Sequence, residues 1–226
     1  MRASGKIPIT IPHVQTINSF IPQNAKAYID VAEWADVVHT HSPYVAQFLF
    51  NFAHETPVSF IPNTFDHDRC RPCPLPKDFT LGWLGSNNSF KRFDVAREIA
   101  DRAGVPYIEW DVDALHPWEK VAKEFFPNIS CYLVASMNDA MPLSPQEALL
   151  FGRPVITTPI GAMTTIVRDG VNGKFFNGSV KEGVCVVQEV QKRIQWYRHY
   201  ALLTDLLTVK DVLPQYIHLY EMALES

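Results

Sequence analysis

Two acidic side chains, a lysine and a proline-marked helix start are the residues of this chain best suited to chemistry. Asp139 sits in the loop Met137–Pro142, and Glu147 follows eight positions later, inside the helix opened by Ser144-Pro145-Gln146-Glu147. Amide N–H groups at a helix start favour phosphate, and carboxylates accept hydrogen bonds from sugar hydroxyls, so the set suits a nucleotide sugar. Lys91, with Arg92 beside it, follows the polar loop Ser86–Phe90 and could neutralise a diphosphate. Plainer readings stand beside these. Ser144 at N-cap, Pro145 at N1 and Glu147 at N3 also spell a capping box, in which Glu147 closes on its own helix and binds nothing. Asp139 equally fits an ordinary acidic surface loop, and Lys91 a solvated position. His39 and His41 flank Thr40 at a strand end, where alternation turns both to one face. They are either a site or a pair of loop histidines.

The elements that must position these residues alternate along the chain. Helical patterns span Ala25–Trp34 and Tyr44–Phe52, with strands expected at Asp36–His39 and Pro57–Ile61. Ahead of them, Pro8, Pro12 and Pro22 punctuate short β-branched runs such as Ile7–Ile11. Asn63–Lys77, proline-dotted and carrying Cys70 and Cys73, reads as a linker. Strands are then expected at Phe79–Gly85, Pro106–Trp110, Ile129–Ala135, Arg153–Thr157 and Lys174–Phe176. Between them come helices at Lys91–Ala103, Pro117–Phe126, Ser144–Phe151 and Ala162–Asp169, with Gly152 closing the third. In Pro117–Phe126, Trp118, Val121, Ala122 and Phe125 share one face at helical spacing. Such alternation predicts a parallel sheet covered on both faces, with ligands bound beyond the carboxyl ends of its strands. Gly85–Phe90, Ser136–Leu143 and Thr158–Gly161 all leave strand ends and should share that edge. From Val186 onward the pattern is helical, and Leu213, Tyr216, Ile217, Tyr220 and Leu224 predict a docked amphipathic helix.

Composition excludes several classes. With 226 residues, 47% of them hydrophobic and 19% charged, the chain is globular and long enough for a sizeable core. Its net charge of -4 argues against a general polyanion binder, so nucleic acid is a disfavoured partner. No apolar run approaches the roughly 20 residues of a membrane-spanning helix. The segment MRASGKIPITIPH lacks the apolar core of a secretion signal, so cytoplasmic residence is expected. Cys70 and Cys73 form a C-x-x-C pair with His67 nearby; a metal or redox site and a plain surface loop are both open, although no second ligand pair exists. Cys131 and Cys185 sit in apolar surroundings and read as core.

The order of motifs resembles one family. Asp139 and Glu147 resemble the E-x7-E motif of retaining GT-B glycosyltransferases, specifically glycosyltransferase family 4, with Asp in the first place. Ile61-Pro62-Asn63-Thr64-Phe65-Asp66 looks like the family's I-P-N-G-V-D segment, and Leu84-Gly85 followed by Lys91-Arg92 like its V-G-R…K-G turn. Phe151–Ile156, then Gly161, then Asp169–Gly173 fit the remainder, and Tyr216–Leu224 is similar to the closing L-Y helix. The resemblance covers about residues 35–224. It implies an α/β, GT-B-like fold with a Rossmann-type parallel-sheet donor domain over residues 65–198. A reduced N-terminal α/β acceptor domain would occupy residues 1–64, with helices of 199–226 packing back on it.

The implied activity is retaining transfer from a UDP- or GDP-sugar to an unidentified acceptor, with no metal or other cofactor. Lys91 would contact the diphosphate and Asp139 the sugar hydroxyls near the reacting carbon. Gly85, Ser86, Arg92 and the stretch Ala140, Met141, Pro142 and Leu143 would line the donor, and Glu147 would hold the ribose. His39 and His41 are the acceptor-side candidates. This sequence departs from the pattern at Ser86, where the family has arginine, at Ala140, where it has glycine, and at Thr165, where it has glutamate. One strand–helix unit between Trp110 and Ile129 also looks missing. These departures keep open a non-catalytic nucleotide-sugar-binding or partner subunit, a homodimer, and a nucleic-acid-modifying transferase.

Overall fold

The structure, a computed structural model, describes residues 14–16, 25–53, 55–86, 88–111 and 117–225. The expected strand-like run at Ile7–Ile11 and the three early prolines lie outside them. Two compact units form: residues up to Thr64 with Leu207 onward, and Phe65–Leu206. The first opens with β1 (Val14–Thr16), α1 (Ala25–Trp34), β2 (Val37–Thr40), α2 (Pro43–Phe52) and β3 (Val58–Phe60). The second holds β4 (Leu81–Gly85), α3 (Phe93–Ala103), β5 (Tyr107–Asp111), a short α4 (Trp118–Lys120), β6 (Cys131–Val134), α5 (Leu143–Leu150), β7 (Val155–Thr157), α6 (Met163–Ile166), β8 (Gly173–Phe175), α7 (Val180–Lys192) and α8 (Ile194–Ala201). The last helix, α9 (Val209–Glu225), belongs to the first unit.

In the first unit the order β1-β2-β3 is wholly parallel. Strand alternation sends Val38 toward α1 and α2, where Ala32, Val45 and Leu49 pack, and Val37 toward Val212, Leu219 and Ala223 of α9. The helix therefore docks, but through a face other than the expected stripe. Leu213, Ile217, Tyr220 and Leu224 are 50–72% exposed, and Tyr216 alone of that set turns inward. α9 is apolar on two faces, and periodicity cannot say which one meets a sheet. Small and β-branched residues such as Ala223 and Val212 permit the closer approach.

The second unit carries a five-stranded sheet, β5-β4-β6-β7-β8, every pair parallel. Period-2 alternation fills both faces. Leu81, Trp83, Cys131, Leu133 and Ile156 face a core with Ile99 and Val187, whereas Leu84, Tyr132, Val134 and Val155 face Phe125, Leu149 and Phe151. The expected helix over 117–126 is a single α-turn followed by a π-segment, Val121–Phe125, and a 3₁₀ turn, Phe126–Asn128. Two adjacent phenylalanines, Phe125 and Phe126, are both fully buried, and Phe126 stacks on Phe151 at 4.4 Å. The wider π-turn brings neighbouring residues inward together, and Pro127 ends it. Among the described residues no strand intervenes between β5 and β6. The proline-dotted segment after Thr64 is pinned rather than loose. The buried Arg153 donates to the carbonyls of Phe126 (2.8 Å), Cys73 (3.2 Å) and Pro74 (2.6 Å). Among the described residues no helix is long and apolar enough to cross a membrane.

Candidate functional site

The chain leaves β4, builds β5 on one side of it, and then crosses to build β6 on the other. That reversal is a topological switch point, where an open α/β sheet leaves a crevice beyond its carboxyl ends. Here the crevice is widened locally. β4 pairs with β5 along all of Leu81–Gly85, but with β6 only at Leu81↔Cys131 and Gly82↔Tyr132. Beyond Gly82 the buried Tyr132 phenol replaces the missing ladder, accepting from the Leu84 amide at 3.0 Å and donating to the Leu84 carbonyl. Burial pushes that phenol's pKa up, so it stays neutral. The result is a pocket of about 310 Å³ whose walls include Trp83, Gly85 and Ser86 from β4 and its loop, Tyr132 from β6, Ser136 from the loop after it, and Leu143 to Pro145 from the start of α5.

Lys91 and Asp139 meet at this rim. The lysine Nζ pairs with Asp139 Oδ2, and the two side chains are 26% and 15% exposed, so water screens the pair only partly. Each is held by backbone. Lys91 precedes α3 because Arg92 takes a left-handed conformation, φ 50°, which starts the helix two residues later than expected. The acid loop is clamped from two sides: Met137 N donates to the Phe90 carbonyl at 2.8 Å, and Ala162 N to the Ala140 carbonyl at 2.8 Å. Gly161, φ 42°, presses directly on that loop, since a Cβ there would overlap the carbonyl oxygens of Asp139 and Ala140. Only glycine fits both the angle and the contact.

Helix α5 begins at Leu143 with Pro142 as N-cap and no side-chain cap bond, so the Ser144–Glu147 capping box does not form. Its first-turn amides accordingly have no side chain of their own helix satisfying them. Met141, Pro142 and Leu143 line the pocket; Ala140 instead uses its carbonyl to hold Ala162. Glu147 lies one turn further along α5, half-buried and outside the pocket's immediate lining. Burial raises its carboxyl pKa to about 7, with Arg69 pulling it back down. Arg92 does not line the pocket: its guanidinium donates to the Gly178 carbonyl at 3.1 Å.

His39 and His41 belong to the first unit, with ring centroids 4.5 Å apart. Both contact the Ile61 carbonyl, at 3.3 and 2.8 Å, and His39 also lies 3.4 Å from the Tyr216 hydroxyl. Burial, then the His41 charge, push the His39 pKa down. The C-x-x-C pair shows no metal geometry: no group of three or more His, Cys, Asp or Glu converges among the described residues. Burial pushes the Cys70 thiol up to about 12 and raises that of Cys73, which favours the neutral thiol over the reactive thiolate. Cys131 is fully buried, but Cys185 is exposed, contrary to its expected place in the core. Trp83 and Tyr132 escaped the sequence reading because they sit in apolar strand runs, whereas Ser136 opens a loop expected at the ligand edge without itself being marked as a site residue.

A family model for glycosyl transferases group 1 matches residues 81–197, just over half of the chain. The chain belongs to that family. No curated protein matches it by sequence. Among solved structures, sucrose-phosphate synthase from Thermosynechococcus elongatus is 14% identical with a TM-score of 0.80, the match covering 97% of this chain and 69% of that one. HepE from Anabaena, solved with UDP and glucose, is 16% identical with a TM-score of 0.74, covering 93% and 71%. The pneumococcal O-GlcNAc transferase GtfA, solved with UDP and GlcNAc, is 18% identical with a TM-score of 0.72, covering 90% and 48%. These likenesses define the fold as α/β, GT-B-like, built on parallel sheets.

Proposed function

We propose that this chain is a retaining, glycosyltransferase family 4-like enzyme that moves a sugar from a nucleotide diphosphate sugar to an acceptor hydroxyl. The observation that carries the reading is the Lys91–Asp139 pair at the switch-point pocket, beside the uncapped start of α5. Lys91 and the first-turn amides of α5 offset the diphosphate charge, so the reading needs no metal. Gly85 and Ser86 give the backbone room for the donor, Asp139 orients sugar hydroxyls, and Glu147 takes the ribose at the pocket's far end. Arg92 is given no donor role in this reading, because it is absent from the pocket's lining and its guanidinium bonds the Gly178 carbonyl. In the transfer step the acceptor oxygen bonds the anomeric carbon on the face from which the diphosphate leaves. The carbon–phosphate oxygen bond breaks, and the acceptor proton passes to the departing diphosphate oxygen. No side-chain nucleophile is required. The first unit, with its three-stranded sheet, would serve as the acceptor side carrying His39 and His41.

A UDP-sugar heads the donor panel, because HepE and GtfA were solved with UDP. The test has two stages. Thermal melts with a nucleotide-sugar panel should show one donor class stabilising the chain as RT ln(1 + [L]/Kd). Donor hydrolysis and transfer are then compared with Lys91→Ala and Asp139→Ala, of which the first should weaken nucleotide binding and the second chiefly abolish turnover. Wild-type turnover equal to that of both variants would remove the catalytic reading. A second reading, a non-catalytic nucleotide-sugar-binding subunit, draws on Ser86 and Thr165, which replace charged residues of the family pattern. Binding without turnover would select it, and failure to bind any nucleotide would defeat both.

A further inference from the structure

α9 presents a second apolar seam that no described residue of the first unit covers. Leu213, Ile217, Tyr220 and Leu224 are 50, 51, 57 and 72% exposed, and they lie four, three and four residues apart. That spacing keeps all four on one narrow stripe, the pattern of a helix–helix seam. It also reads the same from both ends. A second copy of α9, related by a two-fold axis and running antiparallel, sets Leu213 against the partner's Leu224 and Ile217 against the partner's Tyr220. The charges agree with that direction. Lys210 flanks the stripe at the amino end and Glu221 at the carboxyl end, with Glu225 beyond it. In that register Lys210 lies within about 3 Å, along the helix axis, of the partner's Glu225, and antiparallel pairing aligns the helix dipoles favourably. Parallel pairing would bring like charges together.

We propose that α9 is a self-association surface through which two copies of this chain pair about a two-fold axis, isologous and antiparallel. The inference is independent of the catalytic reading, since no donor-pocket residue takes part. The stripe spans twelve residues, about 18 Å of helix. That is shorter than a standard protein interface of roughly 800 Å² per partner requires, so the dimer is concentration-dependent rather than permanent.

Sedimentation of the full chain, from low micromolar to several hundred micromolar, should show a monomer passing to a dimer. Ile217→Lys should shift the midpoint at least tenfold upward, and Leu224→Lys, the most exposed of the four, does the same if Ile217→Lys loses its circular-dichroism signature. Lys210→Glu should weaken the dimer, and adding Glu225→Lys should restore it. Direction is read by oxidation in a Cys185→Ser background. Mixed Leu213→Cys and Leu224→Cys chains should form a heterodisulfide, with little homodisulfide from either alone. A monomer at every concentration, a dimer indifferent to both lysine variants, or dominant homodisulfides would each overturn the proposal.

Discussion

Replacing Gly161 by alanine tests the positioning of the acid loop more sharply than removing Asp139. The residue combines a left-handed angle, φ 42°, with contact against the Asp139 and Ala140 carbonyls. Its cost has two parts. Forcing an L-residue into that region costs about 1–2 kcal/mol. Relieving the overlap requires the loop to retreat by about 1.4 Å, because non-bonded atoms settle near 3.5 Å. Gly104 and Gly170 separate the two. They adopt φ 68° and 74°, and a Cβ at either would meet nothing within 4 Å. Gly104→Ala and Gly170→Ala should therefore show the backbone cost alone. Gly161→Ala should exceed them by about 1–3 kcal/mol in urea unfolding, the usual range for overpacking. A displacement near 1 Å at a reacting centre can cost about 100-fold in rate. Transfer should fall by that order in Gly161→Ala while the two control variants keep wild-type turnover. If Gly161→Ala matches the controls in both stability and rate, the clamp is not what holds Asp139 beside Lys91.

Two further expectations rest on buried groups of the same unit. The folded Glu147 carboxyl, near 7 against an ordinary 4.5, keeps a proton that the unfolded chain has released across that window. Its contribution is therefore greatest below pH about 4.5 and is lost as pH rises to about 7, a difference of up to about 3 kcal/mol. Glu147→Gln should remove this loss, so urea melts should show the variant gaining on wild type between about pH 5 and about pH 8; parallel curves would refute the assignment. Tyr132→Phe deletes the hydroxyl that serves both polar groups of Leu84, and it should cost about 1–3 kcal/mol with weakened nucleotide binding. An unchanged melting curve would mean the strands close over the gap without it.

Sequence alone settled the strands from β2 onward, the parallel α/β class and the order of the acid, lysine and glycine segments, but it missed β1 at Val14–Thr16. These are local properties: alternation records which residues lie inside, and glycine records where a backbone must bend or touch. It also marked Lys91 and Asp139, because both follow buried strands of one parallel sheet and must leave by the same edge. The tertiary structure decided what local pattern leaves degenerate. Ser144 and Glu147 spell a capping box, yet α5 begins one residue before Ser144, with Pro142 at its N-cap, so the box does not form. Arg92 stands next to Lys91 in sequence but is turned away by one positive φ and captured by Gly178. α9 had two apolar faces to offer, and only the fit of Val212, Leu219 and Ala223 against Val37 and Ile61 fixed which one went inside. Periodicity carries the number of apolar faces; packing density selects among them, because close contact is won by shape rather than by hydrophobicity alone.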